Sequence, residues 1–212
     1  MITGLRILAR VALATLALLT LTTPYAQAAP DAATQQAAIK LAENLCASCH
    51  GAQGRGDNPR IPRLAGQQRA YIDVQLKAFR SQSRNDPAAH EYMWGIASTL
   101  NDDIVAALAE YFSAQAPAAP STPTDAKLAA AGKQLFEQGS PDRGAPPCTG
   151  CHGMSAEGMA VFPRLAGQHS EYLYIQLKLI QNKLRESPVM HGLIKQLSSD
   201  EVSAVVTYLQ SK

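Results

Sequence analysis

The sequence predicts an all-α protein made of two tandem helical domains. Apolar residues recur at three- and four-residue spacing, with no long alternating run that would argue for a sheet. The chain also repeats itself once, at an offset of about one hundred residues. Pro62-Arg63-Leu64-Ala65-Gly66-Gln67 returns as Pro163-Arg164-Leu165-Ala166-Gly167-Gln168. Tyr71, Gln75, Leu76 and Lys77 return as Tyr172, Gln176, Leu177 and Lys178, while Leu100, Val105 and Tyr111 match Leu197, Val202 and Tyr208. Two copies make a duplication rather than a solenoid, which needs at least three.

Taken in chain order, residues 1–28 read as an export signal. Arg6 and Arg10 supply a positive start, Val11 to Leu21 an apolar stretch, and Ala26-Gln27-Ala28 a small-residue cleavage pattern. The apolar run is short for a membrane span, so the mature chain is expected to lack an integral membrane segment and to lie in the periplasm. Residues 29–113 form the first domain, 114–125 a Pro/Ala-rich linker and 126–212 the second domain. Prolines in the linker discourage helix continuation and favour an extended segment. In the first domain, Ala38, Leu41, Ala42 and Leu45 form an apolar stripe. Tyr71, Val74, Gln75 and Ala78 share a face of the next helix, flanked by Leu76 and Phe79, and Ile104, Leu108, Tyr111 and Phe112 mark the last one. In the second domain, Ser198 followed by Glu201 is a capping box that fixes the start of the final helix.

Charge excludes one class of partner. The full chain carries 19 basic and 17 acidic residues, and Arg6 and Arg10 leave with the signal. The balance that remains, with no block of lysine or arginine, gives no polyanion-binding surface, so nucleic acid is not an expected partner.

The four cysteines fall into two motifs, Cys46-Ala47-Ser48-Cys49-His50 and Cys148-Thr149-Gly150-Cys151-His152. C-x-x-C-H is the attachment signature of c-type haem. Two thiols about one helical turn apart form thioethers to the two vinyl groups, and the adjacent imidazole ligates the iron. A C-x-x-C pair also serves as a redox disulfide or as half of a zinc site. Two copies followed by histidine within a larger repeat favour two covalent haem c groups.

His50 and His152 leave the opposite face of each iron to be filled. Met93 and Met190 occupy matching places, seven residues before the paired Leu100 and Leu197. A thioether is a weak, polarizable ligand that favours ferrous iron, although methionine also serves as flexible core filler. Met154 and Met159 have no counterparts in the first domain, and His90 and His191 are the rival ligands. Pro62 and Pro163 stand where a carbonyl could orient the ligand imidazole, or where a loop simply ends before a helix. Tyr71 and Tyr172 either pack at the haem or donate across the domain boundary. Arg63 and Arg164 either reach propionates or lie at the surface.

On the duplicated signatures, the short linker, the repeated proline segment and the late methionine of each half, the chain resembles the cytochrome c4 family over residues 35–212. The resemblance implies two class I cytochrome c domains related by a pseudo-twofold axis, with iron ligand pairs His50/Met93 and His152/Met190. It implies an electron carrier, not an enzyme, with a cytochrome bc1-type donor and a terminal oxidase or reductase as acceptor. These membrane-associated partners would be engaged transiently. A relay subunit of a periplasmic dehydrogenase or sulfur-oxidising enzyme is the alternative, and a di-haem peroxidase a more distant one. Four extra residues on the methionine side of the first domain, and Trp94 against His191 beside the methionines, predict unequal sites.

Overall fold

The computed structural model describes residues 30–212; the expected export signal lies outside them. Among the described residues the regular structure is helical, with two isolated β-bridges and no strand. The first domain opens with α1 (Ala32–Leu41), whose N-cap Asp31 accepts a bond from the Thr34 amide. A π-helical turn, Ala42–Cys46, joins α1 to the short α2 (Ala47–His50). After a loop come α3 (Arg69–Arg80), a second π turn (Ala89–Met93), α4 (Trp94–Ser98) and α5 (Asp102–Ser113), the last capped by Asn101. The second domain runs α6 (Ala126–Gln138), α7 (Thr149–His152), α8 (Ser170–Gln181), α9 (Pro188–Ile194) and α10 (Ser199–Gln210). The capping box of α10 is present: Ser198 Oγ accepts from the Glu201 amide and Glu201 Oε2 from the Ser198 amide.

Each domain is built on the crossing of its first and last long helices, α1 on α5 and α6 on α10, with α3 or α8 laid against the last helix. Small residues let the helices approach. Ala38, fully buried, serves in the first domain and Gly132 in the second. A Cβ at Gly132 would collide with the carbonyl of Ala204 on α10 and stand 2.9 Å from the Val205 amide nitrogen.

Two faces depart from the periodicity. Leu45 leaves the apolar stripe and is 42% exposed, because the wider π turn rotates it off the Ala38–Ala42 line. On α3 the core face is Ile72 and Phe79 with Leu76 beside them, whereas Val74 is 45% exposed. Tyr71 and Gln75 turn toward the other domain, where bonding partners await them. The second domain carries a further difference before its cysteine motif. Between α6 and α7 a loop closes through the Ser140–Ala145 bridge and is tied to α10 by Ser140 Oγ on Glu201 and by Arg143 facing the same carboxylate at 3.6 Å.

The repeated hexapeptide joins the two domains. Gln67 donates to the Arg164 carbonyl at 3.0 Å and accepts from the Arg164 amide at 2.7 Å. Gln168 does the same with Arg63, at 2.9 Å in both directions. Each glutamine thus replaces a missing backbone partner of the opposite domain, and the pair displays the pseudo-twofold relation directly. Gln68 and His169, which follow, reach the carbonyls of Glu157 and Gly56 across the junction. The connecting residues are pinned as well: Arg55 bonds the Ala116 carbonyl, and Ser121 bonds Gln210 at the end of α10.

Two stability measurements follow. Gly132→Ala is expected to cost about 3 kcal/mol by overpacking the α6–α10 crossing, lowering the melting temperature of the whole protein. Gln168→Ala strips partners from the amide and carbonyl of Arg63 and is expected to cost about 2 kcal/mol. Because the loss falls on the junction, calorimetry should resolve two transitions in place of one.

Candidate haem sites

In each motif a single helical turn, α2 or α7, carries the second cysteine and the histidine, with the first cysteine as its N-cap. The two thiols therefore stand one turn apart on the same side. Directly after each histidine the chain turns at a glycine with positive φ, Gly51 (+74°) and Gly153 (+80°). With extended ψ, this is backbone essentially reserved for glycine. The turn folds the chain back so that the Gly56 amide bonds the His50 carbonyl and the Gly158 amide bonds that of His152.

The imidazoles are held the same way in both domains. His50 Nδ1 donates to the Pro62 carbonyl at 2.8 Å, and His152 Nδ1 to the Pro163 carbonyl at 2.9 Å. A carbonyl can only accept, so the proton is on Nδ1 and the lone pair is on Nε2. Burial lowers the affinity of both rings for a second proton, and the carbonyl bond offsets this only in part. Each histidine is therefore a neutral, oriented donor.

The four methionines among the described residues differ in burial. Met93 is half-buried against Phe79, Ala89, Ala97 and Trp94, and Met190 is half-buried against the second-domain core. Met154 and Met159 stand 70% and 56% exposed. Of the rival histidines, His90 is exposed and edge-on to Trp94, with ring centroids 4.7 Å apart, and His191 Nδ1 is committed to the Ile180 carbonyl at 3.0 Å.

Tyr71 and the two sequence-marked arginines lie at the junction. Tyr71 OH accepts from Arg185 at 2.9 Å, and Arg63 reaches the Gly167 carbonyl at 2.7 Å. The Nε of Arg164 is buried with no partner. The Tyr172 amide bonds the Pro59 carbonyl across the junction, and its ring packs at the edge of the second core. Arg84 and Arg185 join this constellation without having been marked from sequence, although the repeat offset that pairs Tyr71 with Tyr172 also pairs them.

Other uses of the cysteines fit poorly. The first thiol of each motif is pushed up by burial, Cys148 to about 11, whereas a redox C-x-x-C pair needs a depressed thiol. Among the described residues no three His, Cys, Asp or Glu side chains converge as a zinc site requires. A large apolar prosthetic group does fit. The first domain's apolar residues fall into two separate clusters, one containing Cys46 and Leu64, the other containing Met93 and Trp94. Leu45, Val74 and Tyr92 are left exposed there, as are Val161 and Val189 in the second domain. A haem joined to the cysteines would add apolar surface beside the first cluster, which Cys46 packs against, and beside the second-domain core, which Cys148 packs against.

The comparisons with known proteins agree. The cytochrome c family model matches twice, at residues 35–115 and 129–212. Cytochrome c4 of Thiocapsa roseopersicina is 38% identical over 191 residues, covering 86% of this chain and 95% of that protein. The thiosulfate dehydrogenase electron acceptor of Thiomonas intermedia (strain K12) is 34% identical over 195 residues, covering 89% and 82%. The crystal structure of reduced recombinant cytochrome c4 from Pseudomonas stutzeri superimposes with a TM-score of 0.75 at 33% identity, covering 86% of this chain and 99% of that one. Two cytochrome c domains in tandem, each with its own attachment motif and together matching cytochrome c4 relatives along most of their length, mean that this chain belongs to the cytochrome c4 family and carries two covalently bound haem c groups.

Proposed function

We propose that the protein works in the periplasm as a two-electron-capacity carrier, taking electrons from a respiratory donor of the cytochrome bc1 type and delivering them to a terminal oxidase or reductase. The observation that carries this reading is the identical imidazole–proline bond in the two domains, at 2.8 and 2.9 Å. It pre-orients Nε2 of His50 and of His152, so a change of oxidation state asks for little rearrangement of the ligand. When bound, haem c supplies one-electron chemistry by cycling between ferric and ferrous iron.

In this reading each residue has one role. Cys46 and Cys49 anchor the first haem and Cys148 and Cys151 the second. His50 and His152 would each donate to the iron of their own domain, and Met93 and Met190 would supply the second protein donor. The Pro62 and Pro163 carbonyls fix the rings, while Tyr71, Tyr172, Arg63 and Arg164 stand at the domain boundary behind them. A histidine and a protein thioether on each iron would leave no position for a substrate, which would suit electron transfer. His90, exposed, meets Trp94 edge-on, and His191 donates from Nδ1 to the Ile180 carbonyl.

One relative favours a second reading. The likeness to a thiosulfate dehydrogenase electron acceptor supports a relay role beside a sulfur-oxidising enzyme, served by the same haems. Rapid reduction of the purified protein by such a dehydrogenase, with slow reduction by a bc1-type complex, would favour it.

The ligands can be read from absorption spectra of the mature protein in both oxidation states. Two low-spin haems, a far-red ferric band of methionine ligation and no response of the reduced protein to carbon monoxide are expected. Met190→Ala should remove about half of that band and open one haem per chain to carbon monoxide. A wild-type haem that is high-spin or binds carbon monoxide readily overturns methionine ligation in its domain. Replacing both Cys46 and Cys49 by alanine should leave a single haem per chain by intact mass, with His152 spectroscopy unchanged.

A further inference from the structure

The segment that carries each candidate methionine is tied to the preceding long helix at two points. The first tie lies beyond the methionine. Arg80, in the last turn of α3, donates to the Leu100 carbonyl at 2.7 Å. Gln181, at the end of α8, donates to the Ile194 and Leu197 carbonyls, both at 2.9 Å. Arg80 and Gln181 hold matching places in the repeat, as do Leu100 and Leu197.

The second tie falls on the residue directly after the methionine. Trp94 donates from Nε1 to the Arg84 carbonyl at 2.8 Å, and His191 donates from Nδ1 to the Ile180 carbonyl at 3.0 Å. The two acceptors are not equivalent: Ile180 lies within the last turn of α8, whereas Arg84 lies in the loop after α3. Residue type, acceptor and loop length all differ between the domains, yet each places one ring N–H on a carbonyl at the end of the same helix.

The acceptors are themselves fixed. The Arg84 amide bonds the Ala78 carbonyl at 3.1 Å, and its guanidinium bonds Gln75 Oε1 at 2.8 Å and, across the junction, Gln176 Oε1 at 3.2 Å. Ile180 is buried in the second core. Trp94 also packs in one cluster with Met93, Phe79, Ala89 and Ala97. A side chain on a stretch of chain held in this way has less freedom to lose when it serves as a ligand.

We infer that Trp94 and His191 are positioning residues for the thioethers of Met93 and Met190, their ring N–H bonds holding each methionine against release from its iron. The inference rests on the methionine ligation proposed above. A thioether is a weak iron ligand, and an external base binds in proportion to the fraction of time the thioether is away. Loss of one hydrogen bond should raise that fraction about fivefold.

The test uses the di-haem protein. Trp94 is the only tryptophan of the chain, so growth on benzothienylalanine, which has sulfur in place of the indole N–H, changes this residue and no other. Imidazole is titrated into the ferric protein, and the methyl signals of ligated methionine are followed by NMR in the reduced protein, with M190A telling the two signals apart. The analogue should raise the imidazole affinity of the first haem about fivefold and shift the Met93 signal alone. H191F should do the same to the second haem and the Met190 signal. 5-Fluorotryptophan, which keeps the N–H, should leave the affinity at the wild-type value. So should Y92F, which trims an exposed neighbour whose hydroxyl bonds Glu91. Unmoved affinity and signal in either altered protein, with both methionine signals present in the wild type, overturn the positioning role and leave ligation standing, even if the melting temperature falls. A wild type that lacks one of the two signals overturns ligation in that domain, and this inference with it. If the analogue protein does not accumulate with both haems, an unmoved Met190 signal in H191F overturns the proposal equally.

Discussion

The backbone of one hexapeptide, present twice, is the constraint from which the rest of the molecule follows. Its proline carbonyl fixes the motif histidine, its next residue offers an amide and a carbonyl to the opposite domain, and its glutamine returns the bond. Between those points the Leu64 and Ala65 amides close on the Gly54 carbonyl, and Gly66 on that of Phe112 at the end of the last helix. Imidazole orientation, loop closure and domain docking thus share a few consecutive peptide units. A rigid segment of this kind transmits position from the junction to the iron ligand through bonded backbone rather than through side-chain packing.

The two halves use this frame differently. In the first domain both π turns end at chemically important residues, Cys46 and Met93. Single π turns are a recurrent way of re-aiming a side chain within a helix. The second domain instead breaks before its cysteine motif and spends the added residues on a loop anchored to Glu201. Its loop after the histidine also differs. Met154, Met159, Val161 and Phe162 face solvent there, whereas the matching segment of the first domain is engaged by His169, by Tyr172 and, through its Arg60, by Glu171. The two cysteine–histidine motifs therefore sit in unequal surroundings.

Helical class, duplication and the cysteine–histidine motifs were legible in the sequence because each is a local pattern. The capping box was legible for the same reason, and the caps Asp31, Asn101 and Asp125 carry equally readable signals. The π turns were not, since their register differs from an α-helix by one residue and only tertiary contacts select it. On α3, Tyr71 and Gln75 satisfy helical spacing whether they meet a core or another domain; hydrogen-bond partners from the second half decide between the two. Arg84 and Arg185 were hidden by their ordinary appearance as surface charges, although the repeat offset marks them as a pair.

The junction also has a bearing on ancestry. Its main contact is the same contact made twice, Gln67 on Arg164 and Gln168 on Arg63. Such a surface is self-complementary, the hallmark of an isologous dimer. A single-domain forebear bearing it would have paired with its own copy at a population set by protomer concentration. Fusion through residues 114–125 makes that encounter intramolecular and independent of dilution. Once covalent, the two halves are free to diverge, and an added loop or an unequal methionine segment can differentiate them without losing the assembly.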